Sequence, residues 1–260
     1  MELHQKRLHK DPTKENSILF QAERYDNEAK NYLAAHGDKF SQKYRDKFIR
    51  AKAFPFSLKG KKVLDAMCAF GAETGFLLKH NAEVEGLDIS KGNAELYQKL
   101  WGVNCRVSSI HETAYPDNSF DVVYICGGLH HVLPLLQETI AEVYRILKPG
   151  GFFCFVEPNA SSWINFLRKI WYRVDKRFDD TEEAIDYNTR LKPLLTNKFK
   201  ENSLSYGGGI AYLLIAQSLI LKTPYWVKKV FYRPFFALEN FMNAIHLSPN
   251  LFFVCVWQKK

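Results

Sequence analysis

The sequence predicts an α/β fold, a mostly parallel sheet with helices on both faces, to which a helical N-terminal arm and a helical insertion in the C-terminal part are added. Three observations carry that prediction. Strand-like and helix-like patterns alternate from residue 62 to residue 157 with short connections, as βαβ units require. Two apolar runs, Val63-Leu64-Asp65 and Val84-Glu85-Gly86-Leu87-Asp88, each end in an acidic residue. Asp88 falls about twenty residues beyond the turn that follows Asp65, where a carboxylate can accept hydrogen bonds from a ribose diol. Finally, 260 residues that are 47% hydrophobic and 25% charged can bury a sizeable core in one domain with insertions.

The elements follow in order. Residues 1–55 form a polar arm in which Phe20, Tyr25, Tyr32, Leu33, Phe40, Tyr44 and Phe48 are spaced as on amphipathic helices laid over another element. The arm ends at Phe54-Pro55-Phe56. Within the core, 56–158, the pattern predicts strand 62–66, helix 71–79, strand 83–88, helix 91–101, strands 104–108 and 121–126, helix 134–147 and strand 151–157. Ser90 suits the cap of the helix at 91 and frees Asp88 for a ligand. Residues 159–245 are a helical insertion with part of the core sheet, and 246–260 hold a final strand, Leu251 to Trp257, before the basic end Lys259-Lys260. Ligands of such a sheet bind beyond the carboxyl ends of its strands, near the reversal of strand order.

Composition narrows the setting. Cys68, Cys105, Cys126, Cys154 and Cys255 are scattered without a CxxC pair, so they read as reduced, mostly buried thiols and not as a disulfide framework or zinc site. No stretch has the pattern of a signal peptide, which leads us to expect a cytoplasmic protein. The net charge of +8 is uneven: fifteen Lys and Arg stand against eight Asp and Glu from Asn159 onward. A basic chain invites nucleic acid, but no recognised module or compact Lys/Arg run accompanies the charge, and nucleic acid is not the expected partner.

With these elements in place the chain resembles the class I S-adenosylmethionine-dependent methyltransferases, in particular those acting on small molecules and lipids. The residues that carry the resemblance lie between about 20 and 160: Asp65 to Gly71, Asp88, Pro116-Asp117-Asn118-Ser119-Phe120-Asp121, Leu129-His130-His131-Val132 and Leu147-Lys148-Pro149-Gly150-Gly151. It implies a Rossmann-like seven-stranded sheet and S-adenosylmethionine as cofactor, with S-adenosylhomocysteine as product. The cofactor residues it implies are Asp65, Ala66, Met67 and Gly71 in the first turn, Asp88 and Ile89 at the ribose, Ser109, Ile110 and His111 beside the adenine, Cys126 after the fourth strand, and Tyr25 as a lid residue. The family favours three glycines in the first turn, where only Gly71 stands here. Met67 and Ala69 replace the others, so the turn is expected to avoid positive φ at those sites or to shift. The family's amino-methylating signature is absent, its place taken by Cys126-Gly127-Gly128-Leu129.

Two candidates remain for proton chemistry. His130 can serve as a base for an attacking hydroxyl, or it and His131 simply wall the cofactor pocket. Glu157 can bind substrate, act as base or cap the next helix. For the insertion, Trp163, Phe166, Ile170, Trp171 and Tyr172 alternate with Arg168, Lys169, Arg173, Lys176 and Arg177, and no acidic residue occurs from Asn202 to Leu238. Two readings are open: helices that cover the sheet and line an acceptor cavity, or a peripheral contact with an anionic membrane. The apolar run from Ile210 to Leu221 is too short to span a bilayer. The expected activity is methyl transfer to an oxygen, with carbon the second choice, of a hydrophobic, lipid-linked or glycan-type acceptor. The alternative is a degenerate member serving as a scaffold or partner subunit. Oligomeric state is not legible.

Overall fold

The computed structural model describes residues 37–166, 184–216 and 223–260. Its centre is a seven-stranded sheet of order β3-β2-β1-β4-β5-β7-β6. The strands are β1 (Lys62–Ala66), β2 (Glu83–Asp88), β3 (Cys105–Val107), β4 (Phe120–Cys126), β5 (Leu147–Pro158), β6 (Phe199–Gly207) and β7 (Phe252–Lys259). β1 to β5 pair in parallel, whereas β7 runs antiparallel between β5 and β6. The strand order reverses between β1 and β4, which sets the ligand-binding crevice at the carboxyl ends of those two strands.

Alternation along the strands builds two cores. Leu64, Val123, Ile125, Phe153 and Phe155 point to one face, where α4 (Leu136–Ile146) and α5 (Lys192–Leu195) cover them. Val63, Val122, Tyr124, Cys154 and Val156 point to the other, beneath the arm. There α1 (Lys39–Arg45) continues through a π-type turn at Asp46–Arg50 to Ala51–Ala53, and buries Phe40, Tyr44 and Phe48, the aromatics whose spacing marked the arm. Asp38 caps α1 by accepting from the amides of Phe40 and Ser41 at 2.9 and 3.1 Å. Further α-helices among the described residues are α2 (Thr74–Lys79), α3 (Lys91–Trp101) and α6 (Tyr225–Ala244).

Several expectations change. The strand β6 was not placed, because Lys200, Glu201, Asn202, Ser203 and Ser205 give an edge strand little apolar periodicity. β7 runs on through Gln258 to Lys259, beyond the expected end. β5 begins at Leu147 and absorbs the Pro149-Gly150 turn, so α4 stops at Ile146. The histidine pair sits on a 3-10 turn, Leu129–Leu135, and the α-helix begins only at Leu136, after Pro134. Tyr25, the earlier arm aromatics, and the stretch with Ile170, Trp171 and Tyr172 lie outside the described residues.

Candidate functional site

The turn after β1 departs from expectation most clearly. Met67 and Ala69 do not avoid positive φ: they adopt 55° and 48°, and Gly71 adopts 79°. The turn therefore keeps the backbone that glycine would favour, at a strain of roughly 1–2 kcal/mol for each non-glycine. Its anchors explain how it is held. The Ala69 amide donates to Asp88 Oδ2 at 2.8 Å, Cys68 N donates to the Leu87 carbonyl at 3.1 Å, and Gly71 N donates to the Cys68 carbonyl at 2.8 Å. Gly71 admits no side chain, since a Cβ there would stand 2.5 Å from Trp101 Nε1, which donates to the Phe70 carbonyl. The Met67 thioether lies against the β4 end, where a Cβ added to Gly128 would meet its Sδ at 2.7 Å.

Asp65, at 3% exposure, accepts from the Thr74 hydroxyl at 2.8 Å and so ties β1 to α2. Burial pushes its carboxyl up to about 7. Asp88 closes β2, with Oδ1 accepting from Ser90 N at 2.9 Å and from Asn93 Nδ2 at 3.3 Å. Ser90 caps α3, accepting from Asn93 N at 2.9 Å, so the cap and the ligand candidate are separate residues as expected. Protein donors thus converge on the Asp88 carboxylate from the first turn and from the start of α3. Beyond it lie half-buried Ile89 and, after β3, Ser109, buried Ile110 and His111, with Ser109 Oγ and His111 Nδ1 at 2.5 Å.

The sequence treated His130 and Glu157 as separate candidates, but the fold pairs them. Glu157 is fully buried at the end of β5. Its Oε1 accepts from the amides of Gly128 and Leu129 at 2.9 and 2.7 Å, and its Oε2 lies 2.8 Å from His130 Nδ1. It does not open to solvent; by accepting from the amides that begin the 3-10 turn Leu129–Leu135 it caps and holds that turn, and it orients the imidazole. Burial pushes the Glu157 carboxyl up to about 7 against those amide donors. Above that pH an ionised Glu157 accepts a hydrogen bond from Nδ1–H and leaves Nε2 as acceptor. Below it a protonated Glu157 donates to Nδ1, and the ring proton moves to Nε2.

A buried ionic cluster was missed. Glu73, between Gly71 and α2, accepts from Arg45 Nε at 2.6 Å and from Arg50 Nε, and Arg50 Nη2 also donates to the Ala72 carbonyl. Burial alone would raise the Glu73 carboxyl, but the two guanidinium groups outweigh it and hold it down to about 2. Arg45 Nη2 further donates to Cys126 Sγ at 3.1 Å, and burial pushes that half-buried thiol up to about 11. The arm thus clamps the first turn from outside. No local signal marks this, since Arg45 and Arg50 stand 28 and 23 residues from Glu73. Among the described residues no group of His, Cys, Asp and Glu has the arrangement of a metal site.

Residues 64–155 match a family model described as a methyltransferase domain. A demethylmenaquinone methyltransferase from a Geobacillus strain is 35% identical over 123 residues, 44% of this chain and 52% of that protein. A sterol 24-C-methyltransferase from Gibberella zeae is 35% identical over 102 residues, 36% of this chain and 27% of that protein. The chain thus spans about half or less of these relatives' length. Among solved structures, the N-methyltransferase NodS from Bradyrhizobium japonicum, crystallised with S-adenosylhomocysteine, has a TM-score of 0.58 at 12% identity, covering 94% of this chain and 98% of that one. The cyclase SpnF reaches a TM-score of 0.62 at 15% identity, covering 94% of this chain and 96% of its own. At such identities the likeness establishes the fold alone.

Proposed function

We propose that this chain, whose residues 64–155 match a methyltransferase-domain family, is a class I S-adenosylmethionine-dependent methyltransferase that transfers a methyl group to an oxygen of a small hydrophobic, lipid-linked or glycan-type acceptor. The cofactor is S-adenosylmethionine, which when bound supplies a methyl group already activated on a sulfonium. The residues fit it on one observation: Met67, Ala69 and Gly71 all hold the positive-φ backbone that lets amides approach a ligand closely. Asp88, which closes β2 and accepts from the Ala69 amide of the turn, would hold the ribose diol. Ile89 would lie beside the ribose with Asp88, and Ser109, Ile110 and His111 would flank the adenine. Asp65 orders the turn through Thr74.

What favours an oxygen acceptor is the His130–Glu157 pair. An imidazole fixed through Nδ1 by a buried carboxylate is oriented to take a hydroxyl proton at Nε2, and carboxylate pairing stabilises the imidazolium that results. The protein's other task is positioning, since holding the acceptor in line with the methyl group and excluding water supplies several kcal/mol of the barrier reduction. The relatives that act on menaquinone precursors and sterols support a hydrophobic acceptor class. A carbon acceptor is the second choice within this reading.

A scaffold without catalysis is the competing reading, and one observation favours it. The Met67 thioether stands beside Gly128 at the strand-order reversal, and the Ala69 amide is engaged by Asp88. Incubation with methyl-tritiated S-adenosylmethionine and fractionated lipid and glycan pools tests between them. The proposal predicts label in an extractable lipid or glycan fraction, lost in His130→Ala; no label in any pool favours the scaffold.

A further inference from the structure

We propose that α6 is a docking ridge that lays this protein on an anionic lipid bilayer. The helix has 20 residues and is about 30 Å long. Its inner face is fixed to the arm: buried Lys228 donates to Asp38 Oδ2 at 2.5 Å, buried Glu239 accepts from Tyr44 Oη, and Phe236 packs edge-on against Tyr44 and Phe48. The opposite face would be polar in an ordinary surface helix. Here it carries Trp226, Val230 and Phe241, exposed by 65%, 61% and 60%, flanked by Phe231, Leu238 and Ile245 at 42%, 39% and 43%. At 100° per residue, Trp226, Val230, Ala237 and Phe241 form one stripe, and Phe231, Leu238 and Ile245 a second beside it. A continuous apolar ridge of this length on a free surface marks an interaction site.

Charge identifies the occupant. Exposed Lys229 and Arg233 lie along the other edge of the ridge, and Lys43 and Lys47 of the arm stand over the rings of Tyr232 and Phe236 on that side. The helix has a single acidic residue, Glu239, and it is fully buried. A second copy packed about this ridge would bring Lys229 and Arg233 close to their counterparts with no exposed carboxylate on the helix to pair them. An anionic lipid surface pairs all four cations while the apolar stripe enters the headgroup boundary. Trp226 and neighbouring Tyr225 are residues suited to that boundary. No helix among the described residues is long and apolar enough to cross a membrane, so the contact lies on the bilayer.

The ridge also aims the molecule. Ser162 Oγ donates to the Pro249 carbonyl at 2.6 Å, which sets Trp163, 68% exposed, beside the segment after α6 that bears Leu247, 62% exposed. The Asn159 amide, just past β5, donates to the Leu251 carbonyl at 2.9 Å, which ties this segment to the carboxyl end of β5, the rim of the candidate site. This proposal is independent of the catalytic one, because it is read without cofactor or acceptor.

The test is sedimentation of the full chain with vesicles of phosphatidylcholine alone or with 30% phosphatidylserine, an arbitrary but roughly physiological anionic share. Binding is expected only with phosphatidylserine and weaker at high salt. Lys229→Ala with Arg233→Ala should weaken it roughly thirty-fold, and Trp226→Ser with Phe241→Ser should abolish it. All four residues are exposed, and unchanged melting temperatures exclude misfolding. Absence of pelleting at low salt overturns the proposal, as does binding that the ridge variants leave intact. A dimer in analytical ultracentrifugation that Trp226→Ser with Phe241→Ser dissolves assigns the ridge to a second copy and equally overturns it.

Discussion

Glu157→Gln separates orientation of His130 from stability of the site. In the wild type three donors converge on this carboxylate: the amides of Gly128 and Leu129 on Oε1 and His130 Nδ1 on Oε2. Removing the acceptor altogether, as in Glu157→Ala, leaves each donor buried and unmet at roughly 1–3 kcal/mol apiece, a large share of the roughly 5–15 kcal/mol that holds a domain folded. Glutamine is different. Its carbonyl keeps both amide bonds, and its NH2 group faces Nδ1 as a donor, so every polar partner stays satisfied and stability should change by no more than about 1 kcal/mol. Donation into Nδ1 fixes the ring proton on Nε2, which can then no longer accept one. The expected result is a kcat lower by roughly 10²–10⁴, with KM for the cofactor little changed. The wild-type rate should rise as pH passes about 7, where Glu157 ionises, and the variant should lose that dependence. The assay is methyl transfer to the acceptor found in the labelling experiment, with thermal melts as control. A variant that folds normally and turns over within about threefold of wild type would refute a base role for His130.

Three further outcomes follow from the same geometry. Met67→Gly with Ala69→Gly should relieve left-handed strain of roughly 1–2 kcal/mol per site, partly offset by glycine's chain entropy, and calorimetry should find S-adenosylhomocysteine bound more tightly because the thioether no longer stands beside Gly128. Glu73→Ala should cost roughly 3–5 kcal/mol in denaturant melts by leaving Arg45 and Arg50 buried without their carboxylate; a loss under about 1 kcal/mol would show that the clamp is dispensable. Asp65 has a raised carboxyl, so its contribution to stability is complete below about 4 and lost as pH rises through about 7, up to about 4 kcal/mol; a melting temperature that falls between these limits in wild type and is flatter in Asp65→Asn would bear this out.

Local chemistry accounts for what the sequence revealed. β1, β2 and α3 have the predicted limits because each carries its own boundary: Asp65 stands one residue before the end of β1, Asp88 ends β2, and Ser90 caps the helix. β6 lacked such a pattern because an edge strand exposes polar side chains. At the site, Asp65, Asp88, His130 and Glu157 were recognisable one by one from strand ends. That His130 and Glu157 form one unit was not, since the contact joins residues 27 apart, one on the turn after β4 and one at the end of the neighbouring β5. Nor was the outcome at Met67 and Ala69 legible. Residue preference argued against positive φ there, but the bonds from Ala69 N to Asp88 and from Cys68 N to Leu87 hold the turn in that form. Tertiary hydrogen bonds overrode local propensity.

Whether this altered turn still receives the cofactor is answered by calorimetric titration with S-adenosylmethionine and S-adenosylhomocysteine. Saturable micromolar binding of at least one is expected, lost in Asp88→Ala. No heat up to millimolar ligand, from protein with an intact thermal transition, would contradict it.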